Sequence, residues 1–219
     1  MKYSLVVFDM DGTLADTSPG ILQSFHYAAR EMGVPEPDDA LLMAHMGGSL
    51  HLSVQDALCI PEEDVQKAVD LFRTYYDTKG RMESEMFPGT LEVLEKLHSE
   101  GVKLGVATMK LHEYAVEQIG IWGVEDLFDT VHGSDVFGRV TKADTIDMCM
   151  YDCGIGPADT LMVGDTPNDY HGAKASGTDF LAVTYGFGFT ELSCKREGLS
   201  YATRPLEILN FVERHEFDL

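Results

Sequence analysis

Four consecutive apolar residues, Leu5-Val6-Val7-Phe8, run directly into Asp9-Met10-Asp11-Gly12. A run this short and this uniformly apolar reads as a strand covered on both faces, the usual situation in a parallel sheet flanked by helices. Asp9 therefore stands where a buried strand ends, with Asp11 one spacer further on. Carboxylates this close repel strongly in a low-dielectric cleft, so keeping both requires a cation between them or a proton on one. Oxygen-only ligands suit a hard ion such as Mg²⁺ better than zinc. Chemically, Asp9 can act as a nucleophile that attacks phosphorus to form an aspartyl-phosphate, and Asp11 as general acid and then base. Gly12 allows a tight turn beside a ligand. The same residues also suit a plain strand-ending turn, and the motif alone does not separate the two.

The pattern downstream fixes the setting. Between Ser18 and about Met86 it is helical: Ile21, Phe25, Ala28, Ala29 and Met32 keep helical spacing after Ser18-Pro19, and Gly33 stops the run. Further helices are expected over 37–45, 49–58 and 61–76. Beyond them helices over 90–99, 111–119, 142–153, 169–176 and 206–212 alternate with strands over 102–107, 128–131, 160–164 and 179–184. That alternation predicts an α/β fold, a doubly wound parallel sheet (Rossmann-like core) with an inserted helical domain. The expected division is a core of 1–17 and 84–219 and a helical insertion of 18–83.

In such sheets ligands bind beyond the carboxyl ends of the strands, and Asp9, Thr108 and Asp165 each fall at such an end. The Thr108 hydroxyl and the Met109 N–H can donate to phosphate oxygens, with Lys110 a further candidate for substrate contact; a strand-end threonine with a satisfied hydroxyl is the plainer alternative. Asp165 offers a third carboxylate to a metal. Asp169, one helical turn on, can reach the metal, hold Asp165, or cap its helix.

Asp9-Met10-Asp11-Gly12-Thr13-Leu14-Ala15-Asp16-Thr17 resembles the first motif of the haloacid dehalogenase-like hydrolases, in their phosphatase branch. Val106-Ala107-Thr108 is similar to the second motif, Lys142 to the third, and Gly164-Asp165-Thr166-Pro167-Asn168-Asp169 to the fourth, all in order. Phe87-Pro88-Gly89 and Val183-Thr184-Tyr185-Gly186 point to the phosphoglycolate phosphatase-like group. The resemblance implies a Mg²⁺-dependent phosphatase acting on a small phosphorylated metabolite. Catalysis would fall to Asp9, Asp11, Thr108 and Lys142, and metal binding to Asp9, Asp11, Asp165 and Asp169. Lys142 would neutralise charge on the transferring group and orient Asp9. It is followed by Ala143-Asp144-Thr145 where relatives carry proline, and Arg139 is the other nearby cation. The helical insertion resembles the family's cap over the active site, and Met46-Gly47-Gly48-Ser49-Leu50 the loop that touches the leaving group, with Gly47 and Gly48 as substrate contacts or a plain helix connection.

Composition narrows the partners. With 37 acidic against 16 basic residues, a net charge of −21, the chain has no cationic cluster to meet a nucleic acid or an anionic membrane. Cys59, Cys149, Cys153 and Cys194 match no zinc spacing. Neither a leader nor a bilayer-spanning run is visible, so a cytoplasmic monomer or homodimer is expected. Two other readings use similar residues. A phosphomutase of the same superfamily is disfavoured by Thr13, where mutases often carry valine. A phospho-accepting signalling domain is disfavoured by the built-in acid/base Asp11.

Overall fold

The computed structural model describes residues 1–46 and 49–213. It divides into two compact units, 1–15 with 86–219 and 16–85. The first unit is built on β1 (Leu5–Phe8), β4 (Lys103–Leu111), β5 (Thr130–Ser134), β6 (Thr160–Gly164), β7 (Asp179–Val183) and β8 (Tyr201–Ala202). Their order is β5-β4-β1-β6-β7-β8, and every pairing is parallel. Two two-residue strands, β2 (Ala15–Asp16) and β3 (Glu85–Met86), pair with each other where the chain passes between the units.

Strand alternation explains the layers. Val6 and Phe8 join Leu104, Val106, Leu161 and Val163 in one buried cluster with Leu94 and Leu97 of α5 (Thr90–Ser99) and Ile119 of α6 (His112–Trp122). Leu5 and Val7 point to the opposite face, among Met162, Ile146 and Cys149 of α7 (Lys142–Cys153) and Ala173 of α8 (Pro167–Ser176). Helix α9 (Glu191–Glu197) and α10 (Ile208–Val212) complete the unit. From the central β1 the chain crosses first to β4 and β5, and later returns to β6 on the other side. The order therefore reverses between β1 and β6, the switch point where doubly wound sheets open a crevice.

The second unit is helical: α1 (Ser18–Met32), α2 (Asp39–Met43), α3 (Leu50–Leu58) and α4 (Glu62–Thr78). Phe25 of α1 meets Phe72 of α4 edge to face, 5.0 Å between centroids, and a Cβ on Gly20 would overlap the Gly80 backbone.

Two expectations need revision. Thr108 does not end its strand, because β4 continues to Leu111 after its register with β5 slips between Ala107 and Leu111. The helix expected over 206–212 begins as a turn of 3₁₀ helix at Pro205–Glu207. Helix α9 and the short strands β2, β3 and β8 were not expected; two-residue strands are too short to show a period.

Candidate active site

Asp9 follows β1 and Asp165 follows β6, so the adjacent central strands deliver both to the switch point. Asp169 lies in the first turn of α8, closing a capping box: its Oδ2 accepts from the Thr166 N–H (2.9 Å) and hydroxyl (2.7 Å). The three carboxylates are buried and offer oxygens within 4.8 Å of one another. Lys142, the first residue of α7, reaches them from the side. Its Nζ donates to Asp9 Oδ1 (2.8 Å) and to the Ala107 carbonyl (2.9 Å), and forms an ion pair with Asp169 Oδ1 at 2.8 Å. That last contact lacks hydrogen-bond geometry, leaving Asp169 Oδ1 buried without an accepted hydrogen bond among the described residues.

Local sequence explains why Lys142 arrives there without a proline behind it. Thr141 and Asp144 form a capping box, with Asp144 Oδ2 accepting from the Thr141 N–H (2.8 Å) and hydroxyl (2.7 Å), which pins the first turn. A Cβ on Gly172 of α8 would come within 2.5 Å of Lys142 Cγ, so the glycine makes room for the lysine stem. Arg139 instead lies over the exposed Phe137 ring, 5.0 Å from its centroid.

Asp11, expected beside the other carboxylates, is not part of their group. Its Oδ2 pairs with Lys110 Nζ at 3.0 Å, and its Oδ1 is buried with no hydrogen bond among the described residues. Gly12, with φ +81, makes the turn after it; a Cβ there would overlap the Asp165 carboxylate. Thr108 is buried, and its Oγ1 accepts from the Lys110 N–H (3.2 Å), leaving the hydroxyl proton to be donated elsewhere. Met109 is half-buried on the irregular part of β4. Gly47 and Gly48 lie outside the described residues.

The sequence reading missed three partners of Asp165. Thr13 Oγ1 donates to its Oδ1 (3.2 Å), the Phe187 N–H to its Oδ2 (2.8 Å), and the Phe189 N–H to its carbonyl (2.7 Å). Main-chain donors leave no trace in residue type. The available signal was glycine spacing: a Cβ on Gly186 would lie 2.5 Å from Asp165 Cβ, and one on Gly188 2.7 Å from its carbonyl oxygen.

Electrostatics follow from crowding. Burial above all pushes the Asp9 carboxyl up to about 6, with Lys142 opposing and Asp169 and Asp11 adding to the rise. Burial, then Asp169 and Asp9, hold Asp165 well above the carboxylate range. For Lys142 burial acts downward, but the facing carboxylates outweigh it and hold the ammonium above its ordinary value. Three carboxylates against one ammonium leave two negative charges uncompensated when all are ionised, the charge of one divalent cation. The all-oxygen donor set and this charge balance fit a hard divalent ion.

A doubly wound sheet with clustered carboxylates at its switch point defines the class, and the sequence places the chain within it. The family model of haloacid dehalogenase-like hydrolases matches residues 6–183, and the chain belongs to this family. A hydrolase of the family from Streptococcus pneumoniae superposes with a TM-score of 0.89 at 33% identity, covering 97% of this chain and 99% of that one. A 5'-nucleotidase from Pseudomonas aeruginosa is 32% identical over 216 residues, 98% of each chain. The tyrosine-protein kinase PtkA from Mycobacterium tuberculosis is 32% identical over 185 residues; the match covers 84% of this chain but 63% of the relative's length.

Proposed function

We propose that the protein is a phosphoric monoester hydrolase that works through an aspartyl-phosphate on Asp9. The observation that carries this is the group of three buried carboxylates, two of them paired with a single lysine, that stands two charges short of neutrality. With Lys142 on Oδ1, the other oxygen of Asp9 is the attacking atom. Attack forms the Asp9 O–P bond and breaks the ester P–O bond, while Asp11 gives its proton to the leaving oxygen. Asp11 then takes a proton from water; the water oxygen bonds to phosphorus, the acyl-phosphate bond breaks, and inorganic phosphate and Asp9 are released. Thr108 donates its free hydroxyl proton, and Met109 its N–H, to the phosphoryl oxygens. Asp9, Asp165 and Asp169 would hold the cation, Mg²⁺ by the hardness of its ligands, which when bound supplies positive charge to the carboxylates and the phosphoryl oxygens.

For the substrate, a nucleoside monophosphate is the first candidate, on the name of the Pseudomonas relative that matches end to end; phosphoglycolate and sugar phosphates follow. Assay of the protein against a panel of such esters, with Mg²⁺ and with chelator, tests the reading. We expect multiple turnovers with phosphate release in Mg²⁺, none in chelator, and a loss of more than about 10⁴-fold in Asp9→Asn. Appreciable turnover by Asp9→Asn removes Asp9 as nucleophile.

A further inference from the structure

Of the three clustered carboxylates, Asp165 is the one that lacks an ion pair among the described residues. Lys142 engages Asp9 and Asp169, whereas both Asp165 oxygens accept from neutral donors, Thr13 Oγ1 and the Phe187 N–H. One short segment organises this. After β7 the chain runs Tyr185-Gly186-Phe187-Gly188-Phe189 along Asp165, and the Phe189 N–H fixes the Asp165 main chain at 2.7 Å. Gly186 and Gly188 let it approach so closely that any side chain at either position would collide with Asp165 or Thr166. Its start is tied down twice: the Tyr185 hydroxyl donates to the Thr13 carbonyl (3.1 Å), and the Tyr185 ring packs edge to face on Phe87 at 4.9 Å. Tyr185 thus joins the two donors of Asp165, being in the same segment as Phe187 and bonded to Thr13.

We propose that this segment fixes the direction of the Asp165 carboxylate, and that Tyr185 is a positioning residue that sets which divalent cation the site prefers. The inference rests on the reading of Asp9, Asp165 and Asp169 as cation ligands. Its physical basis is the difference between hard cations. Mg²⁺ demands near-octahedral geometry at short distance, while Ca²⁺ accepts longer, irregular coordination. A carboxylate whose oxygens are both tied by directional hydrogen bonds penalises the larger ion. Loosening it weakens Mg²⁺ and costs Ca²⁺ little.

The test is Mn²⁺ binding to the full chain, followed by the electron paramagnetic resonance of free Mn²⁺, with Mg²⁺ and Ca²⁺ as competitors. Tyr185→Phe keeps the ring and removes the hydroxyl. We expect Mg²⁺ affinity to fall roughly tenfold, Ca²⁺ affinity to change much less, and the metal-free melting temperature to stay close to that of the unaltered chain. Thr13→Val, which removes one donor directly, shifts the Mg²⁺/Ca²⁺ ratio the same way and serves if Tyr185→Phe does not fold. Phe87→Leu, which removes ring packing but keeps the hydroxyl, leaves the ratio unchanged. An unaltered ratio in Tyr185→Phe, or an equal shift in Phe87→Leu, overturns the inference while leaving the cation site standing. Absence of any Mn²⁺ binding by the unaltered protein removes the cation site and the inference together.

Discussion

At the scale of single residues, Lys142 decides the most. Its one ammonium faces two buried carboxylates, and nothing else charged in the described residues pairs with Asp9 or Asp169. Lys142→Met should lower turnover about 10²- to 10³-fold, the usual cost of removing a pre-aimed electrostatic partner, and should lower the melting temperature in chelator more than in Mg²⁺. Titration of Asp9 gives a second expectation. Its carboxyl is raised from 3.8 to about 6, chiefly by burial, so the native state holds its proton more tightly than the unfolded chain does. Stability of the metal-free protein should therefore fall as pH rises from about 4 through about 6. Melts in chelator across that range should show a shallower fall for Asp9→Asn, and equal slopes would mean that Asp9 is not the group responsible. The same proton competes with the cation, so more Mg²⁺ should be needed for half-maximal binding below pH about 6. Asp9, Asp165 and Asp169 were legible in the sequence because each sits at a strand end or one turn beyond it. The pairing of Asp11 with Lys110 was not, since it arises where β4 slips its register and no local spacing announces that.

At the scale of elements, the start of α7 and the face of α8 act together on the lysine. Thr141→Ala should cost about 1 kcal/mol of stability through the lost cap, measured by denaturant unfolding, and should lower turnover as well because Lys142 is the next residue. Gly172→Ala tests the neighbouring helix. Helix propensity favours alanine, but its Cβ would press on Lys142 Cγ, so turnover should fall more steeply than stability. Helix α7 matches its expected bounds, and α8 starts at Pro167, two residues before its expected start at 169. Helix α9, seven residues long and opened by a Thr190 capping box, shows the opposite case: so short an element carries too few apolar positions for its period to stand out.

At the scale of the whole molecule, the alternation of strands and helices was enough to predict a doubly wound sheet, and the strand order puts its reversal beside Asp9. What the sequence could not convey is the lateral order of strands, because pairing is a long-range property. The net charge of −21 carries an expectation of its own. Self-repulsion at that charge is screened within about 8 Å at physiological salt, so raising NaCl from about 10 to 150 mM should raise the melting temperature. A fall would show that surface ion pairs outweigh the repulsion. Finally, β1 in the middle of the sheet precedes in chain order every other element that lines the site. Lys142 is 133 residues further along the chain than the Asp9 it bonds, and Asp165 and Asp169 come later still. A polypeptide emerging from the ribosome therefore exposes Asp9 long before Lys142, Asp165 and Asp169 exist to surround it, and the three carboxylates can come together only once β6 and α8 have been made.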